Sequence, residues 1–139
     1  METGHKGFKF FELALVAAVL GSVGFAVLPQ FTQAGTEDHI ITMMGTLHQI
    51  RSQIDLYKAQ HNGKLPPADT PEALCTAMTQ KDAAGFGPYM AEVPTNPFNQ
   101  SSSVRVSSEA DQGNGTHGWH YNPATGDFYA DDSKCHSQL

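Results

Sequence analysis

The segment FKFFELALVAAVLGSVGFAVLPQF, residues 8–31, is the stretch that decides the architecture of this chain. As an α-helix it would measure roughly 36 Å, enough to span the ~30 Å hydrocarbon core of a bilayer. Glu12 lies near its start, and a carboxylate in such a helix costs roughly 2.5–3.5 kcal/mol on insertion scales. Because charges of this kind are usually paired and functional, Glu12 is a candidate contact residue.

The order of charged and apolar residues predicts a membrane anchor rather than a secretory signal peptide. Lys6 and Lys9 precede an uncharged run over residues 13–28. A signal peptide has a shorter apolar stretch and a small-x-small cleavage site at its far end, and no clean Ala-x-Ala follows this run. The positive-inside tendency then keeps the N-terminus in the cytoplasm and exports the body of the chain.

The string Lys6-Gly7-Phe8-Lys9-Phe10-Phe11-Glu12-Leu13 resembles the class III signal of type IV prepilins. This resemblance implies that residues 1–7 are a leader and that a prepilin peptidase cuts between Gly7 and Phe8. It also implies methylation of Phe8 at its new amino group. Glu12 would then pair with the amine of Phe8 on a neighbouring subunit and set the axial register of a fibre, as interior charge pairs can.

The function that the resemblance implies is a structural subunit of a type IV pilus-like helical filament. The precursor would sit in the inner membrane with its head in the periplasm, and an assembly platform there would build it into an extracellular filament. The alternative is a major pseudopilin of a type II secretion system, in a periplasmic pseudopilus. Residues 47–58, followed by residues 61–66, look like the end of the long helix in those proteins, and the stretch Tyr57–Pro66 favours this alternative.

One long N-terminal helix is predicted from about Phe8 to His61. Its second half carries an apolar stripe at steps of three or four residues, opposite solvent positions that include Arg51. Asn62-Gly63 predicts its end. The family implies a kinked or partly melted stretch near Gly21 and Pro29, and glycine and proline do weaken a helix, although a simple kink is the alternative.

Residues 32–139 are predicted to form a small pilin-like α+β head. Thr70-Pro71-Glu72 indicates a helix start, and that helix should continue to about Thr79. A strand over residues 103–107 and a hairpin of residues 118–122 with residues 127–130 follow. The prediction is a three-stranded antiparallel sheet packed on the long helix.

The two cysteines, Cys75 and Cys135, predict a disulfide that ties the tail to the body if the domain is exported. Two free buried thiols are the alternative. The 14 acidic residues outnumber the 8 Lys and Arg, giving a net charge of −6. An acidic body of this kind is a poor electrostatic partner for nucleic acid, so no nucleic-acid binding is expected.

No catalytic motif is recognisable, so we do not expect an enzyme. His117 and His120 would tend to point to opposite faces of a strand, and His136 stands beside Cys135. Carboxylates that could contribute oxygens to Ca²⁺ are present, although solvated surface acids explain them equally well; these are Glu109, Asp111, Asp127, Asp131 and Asp132. No metal ligands are assigned. A membrane-anchored monomeric periplasmic module that binds a metal or Ca²⁺ remains a second alternative.

Overall fold

A computed structural model describes residues 10–109 and 113–139, with side chains from Gly35 onward. The first helix, α1, spans Phe10–Gln60. The chain divides into two compact units, Met1–Asp38 and His39–Leu139, and the described core belongs to the second. From Gly35 onward, where side chains are described, none of the helices combines the length and apolar character needed to cross a membrane.

Several predictions concern residues that the structure does not describe. The cleavage site between Gly7 and Phe8 lies outside the described residues, and the side chain of Glu12 is likewise not described. Gly21 and Pro29 lie within the bounds of α1, where side chains are not described, and the predicted kinked or melted stretch stays a prediction.

The C-terminal half of α1 packs one stripe of side chains into the core. Its buried members recur at steps of three or four residues, as one face of a helix requires; they are Met43, Leu47, Ile50, Ile54 and Tyr57. The helix ends where Asn62 and Gly63 adopt positive φ angles of 55° and 81°. Gly63 N–H donates to Lys58 O at 2.7 Å, which satisfies a carbonyl of the last turn. The predicted stripe and the predicted end are confirmed.

The second helix, α2, spans Pro71–Thr79 and begins as predicted. Thr70 Oγ1 accepts a hydrogen bond from Ala73 N–H at 3.2 Å, and Pro71 occupies the first helical position, where its missing donor costs nothing. Leu74 and Met78 point into the core. Helix α2 contacts the first strand of the sheet.

The three strands are β1 (Val104–Val106), β2 (Trp119–Tyr121) and β3 (Phe128–Ala130), in the order β1-β2-β3. Strands β2 and β3 form the predicted antiparallel hairpin, with Trp119 opposite Ala130. Strands β1 and β2 are parallel, so the prediction of a wholly antiparallel sheet is wrong.

The connection between β1 and β2 explains the parallel pairing. A parallel pair needs a crossover that carries the chain back to the starting end of the first strand. Here Gly115 N–H donates to Asp131 O at 2.7 Å, so the crossover passes the end of β3. The chain then re-enters beside the start of β1, where the N–H groups of Gly118 and Trp119 both donate to Ser103 O.

Gly118 occupies a position where a side chain has no room. A Cβ there would collide with the backbone carbonyl of Ser101. We expect Gly118→Ala to lower the free energy of unfolding by about 2 kcal/mol, because backbone would have to shift. The matched control is Gly45→Ala on α1, where a Cβ meets nothing within 4 Å and should raise stability by roughly 0.5–1 kcal/mol. Chemical denaturation measures both, and equal effects of the two substitutions would contradict the packing described here.

The core is aromatic on its sheet side. Trp119 and Tyr121 are fully buried, and the Trp119 indole N–H donates to Pro94 O at 2.7 Å. Phe128 packs tilted against Trp119, with ring centroids 5.8 Å apart. Burial, with a smaller contribution from Tyr57, raises the pKa of Tyr121 to about 12, so this phenol is neutral at physiological pH.

Candidate functional site

The described residues contain two features that could serve a function: a polar network at the end of β3 and an exposed face of α1. The network, here called the tail cluster, consists of Asn96, Arg105, Asp131, Asp132 and His136. Asp131 is at its centre and is 0% exposed. Its carboxylate accepts hydrogen bonds from Arg105 Nε at 3.0 Å and from Arg105 Nη2 at 2.7 Å. The backbone N–H of Asn114 is a third donor, at 3.1 Å.

Asp132 extends the tail cluster toward the loop before β1. Asn96 Nδ2 donates both to Asp132 Oδ1 at 2.9 Å and to Gly118 O at 2.8 Å. His136 Nδ1 lies 2.6 Å from the other carboxylate oxygen, and its ring packs 4.1 Å from that of Phe98. The tail cluster therefore joins two segments to the end of β3: the turn of residues 96–98 and the C-terminal tail.

The chemistry of the tail cluster is structural. Both carboxylate oxygens of Asp131 and both of Asp132 have hydrogen-bond partners within the protein. Buried polar groups that are paired in this way stabilise the fold. Within residues 35–109 and 113–139 no group of three or more His, Cys, Asp or Glu side chains is arranged to hold a metal ion.

The acids considered as Ca²⁺ donors do not converge within the described part of the chain. Asp131 and Asp132 belong to the tail cluster, whereas Glu109 and Asp127 are exposed. Asp111 lies outside the described residues. The carboxylates of Asp131 and Asp132 are thus bonded within the protein, whereas those of Glu109 and Asp127 are separate groups on the surface.

The two histidines of the hairpin region also have separate partners. His120 is fully buried on β2, and its Nε2 lies 2.9 Å from Ser107 O. His117 Nδ1 lies 2.7 Å from Thr116 Oγ1 and 3.7 Å from Asp131 Oδ2. Each ring is thus oriented by different groups.

The structure contradicts the predicted disulfide, since Cys75 and Cys135 are both free. Cys75 lies on α2, which contacts β1, whereas Cys135 precedes the short 3₁₀ helix η1 (His136–Gln138), which contacts β3. These strands are the opposite edges of the sheet, about 10 Å apart at two strand spacings. A disulfide needs Cα atoms within about 7 Å. The two cysteines thus belong to segments that pack against different edges of the sheet.

The outer face of α1 is the second feature. We define it by Ile41, Met44, Gly45, His48 and Ser52; Leu56 and the exposed side chain of Asp55 lie beyond it on the same helix. Ile41, Met44 and Leu56 are 68%, 51% and 44% exposed, which is unusual for large apolar side chains grouped on one helix. Between Ile41 and Ser52 the exposed positions carry no acid, lysine or arginine. A solvent-facing helix surface normally carries charges, so this face has the composition of a contact surface.

Arg51 was expected to be a solvent residue, and that prediction is wrong. Its Nε donates to Phe128 O at 2.9 Å and its Nη1 donates to Leu139 O at 3.1 Å. The guanidinium also lies 5.8 Å from the ring centroid of Tyr129. Arg51 therefore joins α1 to β3 and to the last residue of the chain, which leaves the neighbouring outer face without charge.

Sequence reasoning missed the tail cluster as a unit. The sequence suggested Asp131 and Asp132 only as separate oxygen donors for Ca²⁺, and His136 only as a neighbour of Cys135. Nothing in the linear pattern links Arg105 to Asp131, because the two meet only through the parallel placement of β1. A single buried acid at the end of a strand leaves no periodic signal.

Comparisons with protein-family models, with curated proteins and with solved structures found no match. The function is therefore argued from the residues of the chain itself. The outer face of α1 and the N-terminal processing string are the features that bear on it.

Proposed function

We propose that this chain is a structural subunit of a type IV pilus-like helical filament. In this proposal it is cut between Gly7 and Phe8, methylated at Phe8, and assembled through its N-terminal helix. The observation that carries the proposal is the uncharged outer face of α1, with Ile41 and Met44 exposed. Burying such apolar surface against another subunit stabilises the contact by roughly 25 cal/mol per Å².

The processing string supplies the second support. A carboxylate at Glu12 in an apolar segment has no evident use in a monomer, whereas a neighbour's amine would neutralise it. Each subunit would then meet the next head to tail. Such heterologous contacts generate an open helix rather than a closed ring.

Mass spectrometry of sheared surface filaments tests the proposal. A chain that begins at methylated Phe8 and is recovered in the filament fraction is the expected result. Recovery of an unprocessed chain from membranes alone would overturn the proposal. A processed chain confined to the periplasm would instead identify the secretion pseudopilus.

A charge on the outer face of α1 should reduce assembly without unfolding the head. We expect Met44→Glu to lower the yield of sheared filaments roughly tenfold, because an unpaired carboxylate would be buried between subunits. The melting temperature should stay unchanged, since Met44 is 51% exposed. Gln49→Glu, an exposed position outside the outer face, is the matched control and should assemble normally. Equal assembly by all three proteins would exclude the outer face as a contact.

A further inference from the structure

His61, directly after the end of α1, has a hydrogen-bond acceptor at each ring nitrogen. Its Nδ1 lies 2.9 Å from Tyr57 O, and its Nε2 lies 2.8 Å from Asp82 Oδ2. The imidazole also stacks on the Tyr57 ring, with centroids 3.8 Å apart and planes 7° apart. Three contacts thus fix the orientation of this ring.

The two partners of the His61 ring, the Tyr57 carbonyl and the Asp82 carboxylate, can only accept hydrogen bonds. A backbone carbonyl has no hydrogen to donate, and an ionised carboxylate has none either. The hydrogen bond from His61 and those from backbone N–H groups, including that of Phe86, hold the pKa of Asp82 below its usual range, so the carboxylate is ionised at neutral pH. Both contacts can be hydrogen bonds at the same time only when each ring nitrogen carries a hydrogen, as in the charged imidazolium.

Asp82 carries the contact into the following loop. Its Oδ1 accepts Phe86 N–H at 2.8 Å, and its backbone carbonyl accepts Gly85 N–H at 3.1 Å. One carboxylate therefore closes the turn of residues 82–86 and binds the end of α1. The Phe86 ring lies edge-on to His61, with centroids 5.5 Å apart.

We propose that His61 and Asp82 form a proton-dependent latch that fastens the turn of residues 82–86 to the end of α1 when the imidazole is charged and loosens it when the imidazole is neutral. Loss of the proton leaves one ring N–H for two acceptors. Either the Tyr57 carbonyl or the Asp82 carboxylate then faces a lone pair. The ion pair is lost at the same time, and an ionised donor makes the stronger hydrogen bond.

Other ionisable groups lie around the His61 ring. Tyr57 on α1 and Tyr89 beyond the turn face the ring, and burial raises the pKa of both phenols above its usual value. Glu72 and Lys81 line the same surface groove as Asp82.

The latch makes a prediction about hydrogen exchange in the full-length protein. Protection of residues 82–86, corrected for the intrinsic pH dependence of exchange, should fall about threefold to tenfold between pH 5.5 and pH 8. His61→Gln and Asp82→Asn should each remove this dependence. His136→Gln is the matched control, because His136 Nδ1 also faces a carboxylate, Asp132, but lies in the tail cluster. That variant should keep the dependence of the 82–86 turn.

Two results would overturn the latch. One is protection of residues 82–86 that does not change with pH in the unmodified protein; the other is a dependence that survives in His61→Gln. Ring-nitrogen NMR shifts of His61 give an independent measurement on the unmodified chain. At pH 5.5 both nitrogens should carry a hydrogen, and a neutral tautomer at that pH would also exclude the latch.

Discussion

Replacing Glu12 with alanine is expected to abolish filament assembly while the protein remains inserted in the membrane and processed. The carboxylate is the only charge in residues 10–31. In the proposed filament it would neutralise the methylated amine of Phe8 on a neighbouring subunit, in a core where an unpaired charge is costly. Its removal leaves that amine buried without a partner. We therefore expect the yield of sheared filaments to fall below detection.

The control for this experiment is another acid of the same helix. Glu37 lies on α1 and is exposed, so Glu37→Ala should assemble like the unmodified protein. Immunoblots of membrane and sheared fractions separate an assembly defect from loss of the protein. Wild-type filament yield from Glu12→Ala would refute the proposed role of Glu12 and remove the second support for a filament subunit.

Replacing Asp131 with alanine is expected to give the largest loss of stability in the head. Asp131 is completely buried, and its carboxylate receives two donors of Arg105 and the backbone N–H of Asn114. Breaking a buried ion pair from one side costs about 3–5 kcal/mol, and the partial exposure of Arg105 places this one near the lower end. Chemical denaturation should show a decrease of about 3 kcal/mol.

The matched control is Asp127→Ala, a substitution of an exposed acid next to β3. Its effect on the free energy of unfolding should be within about 0.5 kcal/mol. A double-mutant cycle with Arg105→Ala isolates the pair, and we expect Arg105→Ala to add little once Asp131 is gone. An Asp131→Ala protein as stable as the Asp127→Ala protein would show that the tail cluster does not anchor the tail.

Local features of the fold could be predicted because each depends on neighbouring residues along the chain. The stripe from Met43 to Tyr57 follows from helical periodicity, and the start of α2 follows from the Thr70 cap and Pro71. The hairpin of β2 and β3 is closed by a short turn that ends in Gly126 at a φ of 84°. In each case the physical cause acts within a few residues.

The parallel β1 and the free cysteines could not be predicted in this way. Whether β1 runs parallel or antiparallel to β2 depends on the path of the connection between them, and the contact of Gly115 with Asp131 holds the described end of that connection. Cys75 and Cys135 belong to segments that pack against different edges of the same sheet, and both are free. An antiparallel sheet and a tail disulfide were reasonable expectations that long-range packing overruled.

The sequence by itself determined where the apolar segment, the amphipathic half of α1, the α2 cap and the hairpin lie, since periodicity and turn chemistry are short-range properties. It also provided the processing string around Gly7 and Glu12, from which the proposed function starts. Only the tertiary structure decided that Arg51 turns inward, that Asp131 becomes a buried anchor, and that the outer face of α1 is left without charge. Those outcomes depend on which distant groups meet, because a buried charge is tolerated only where a partner from another element reaches it.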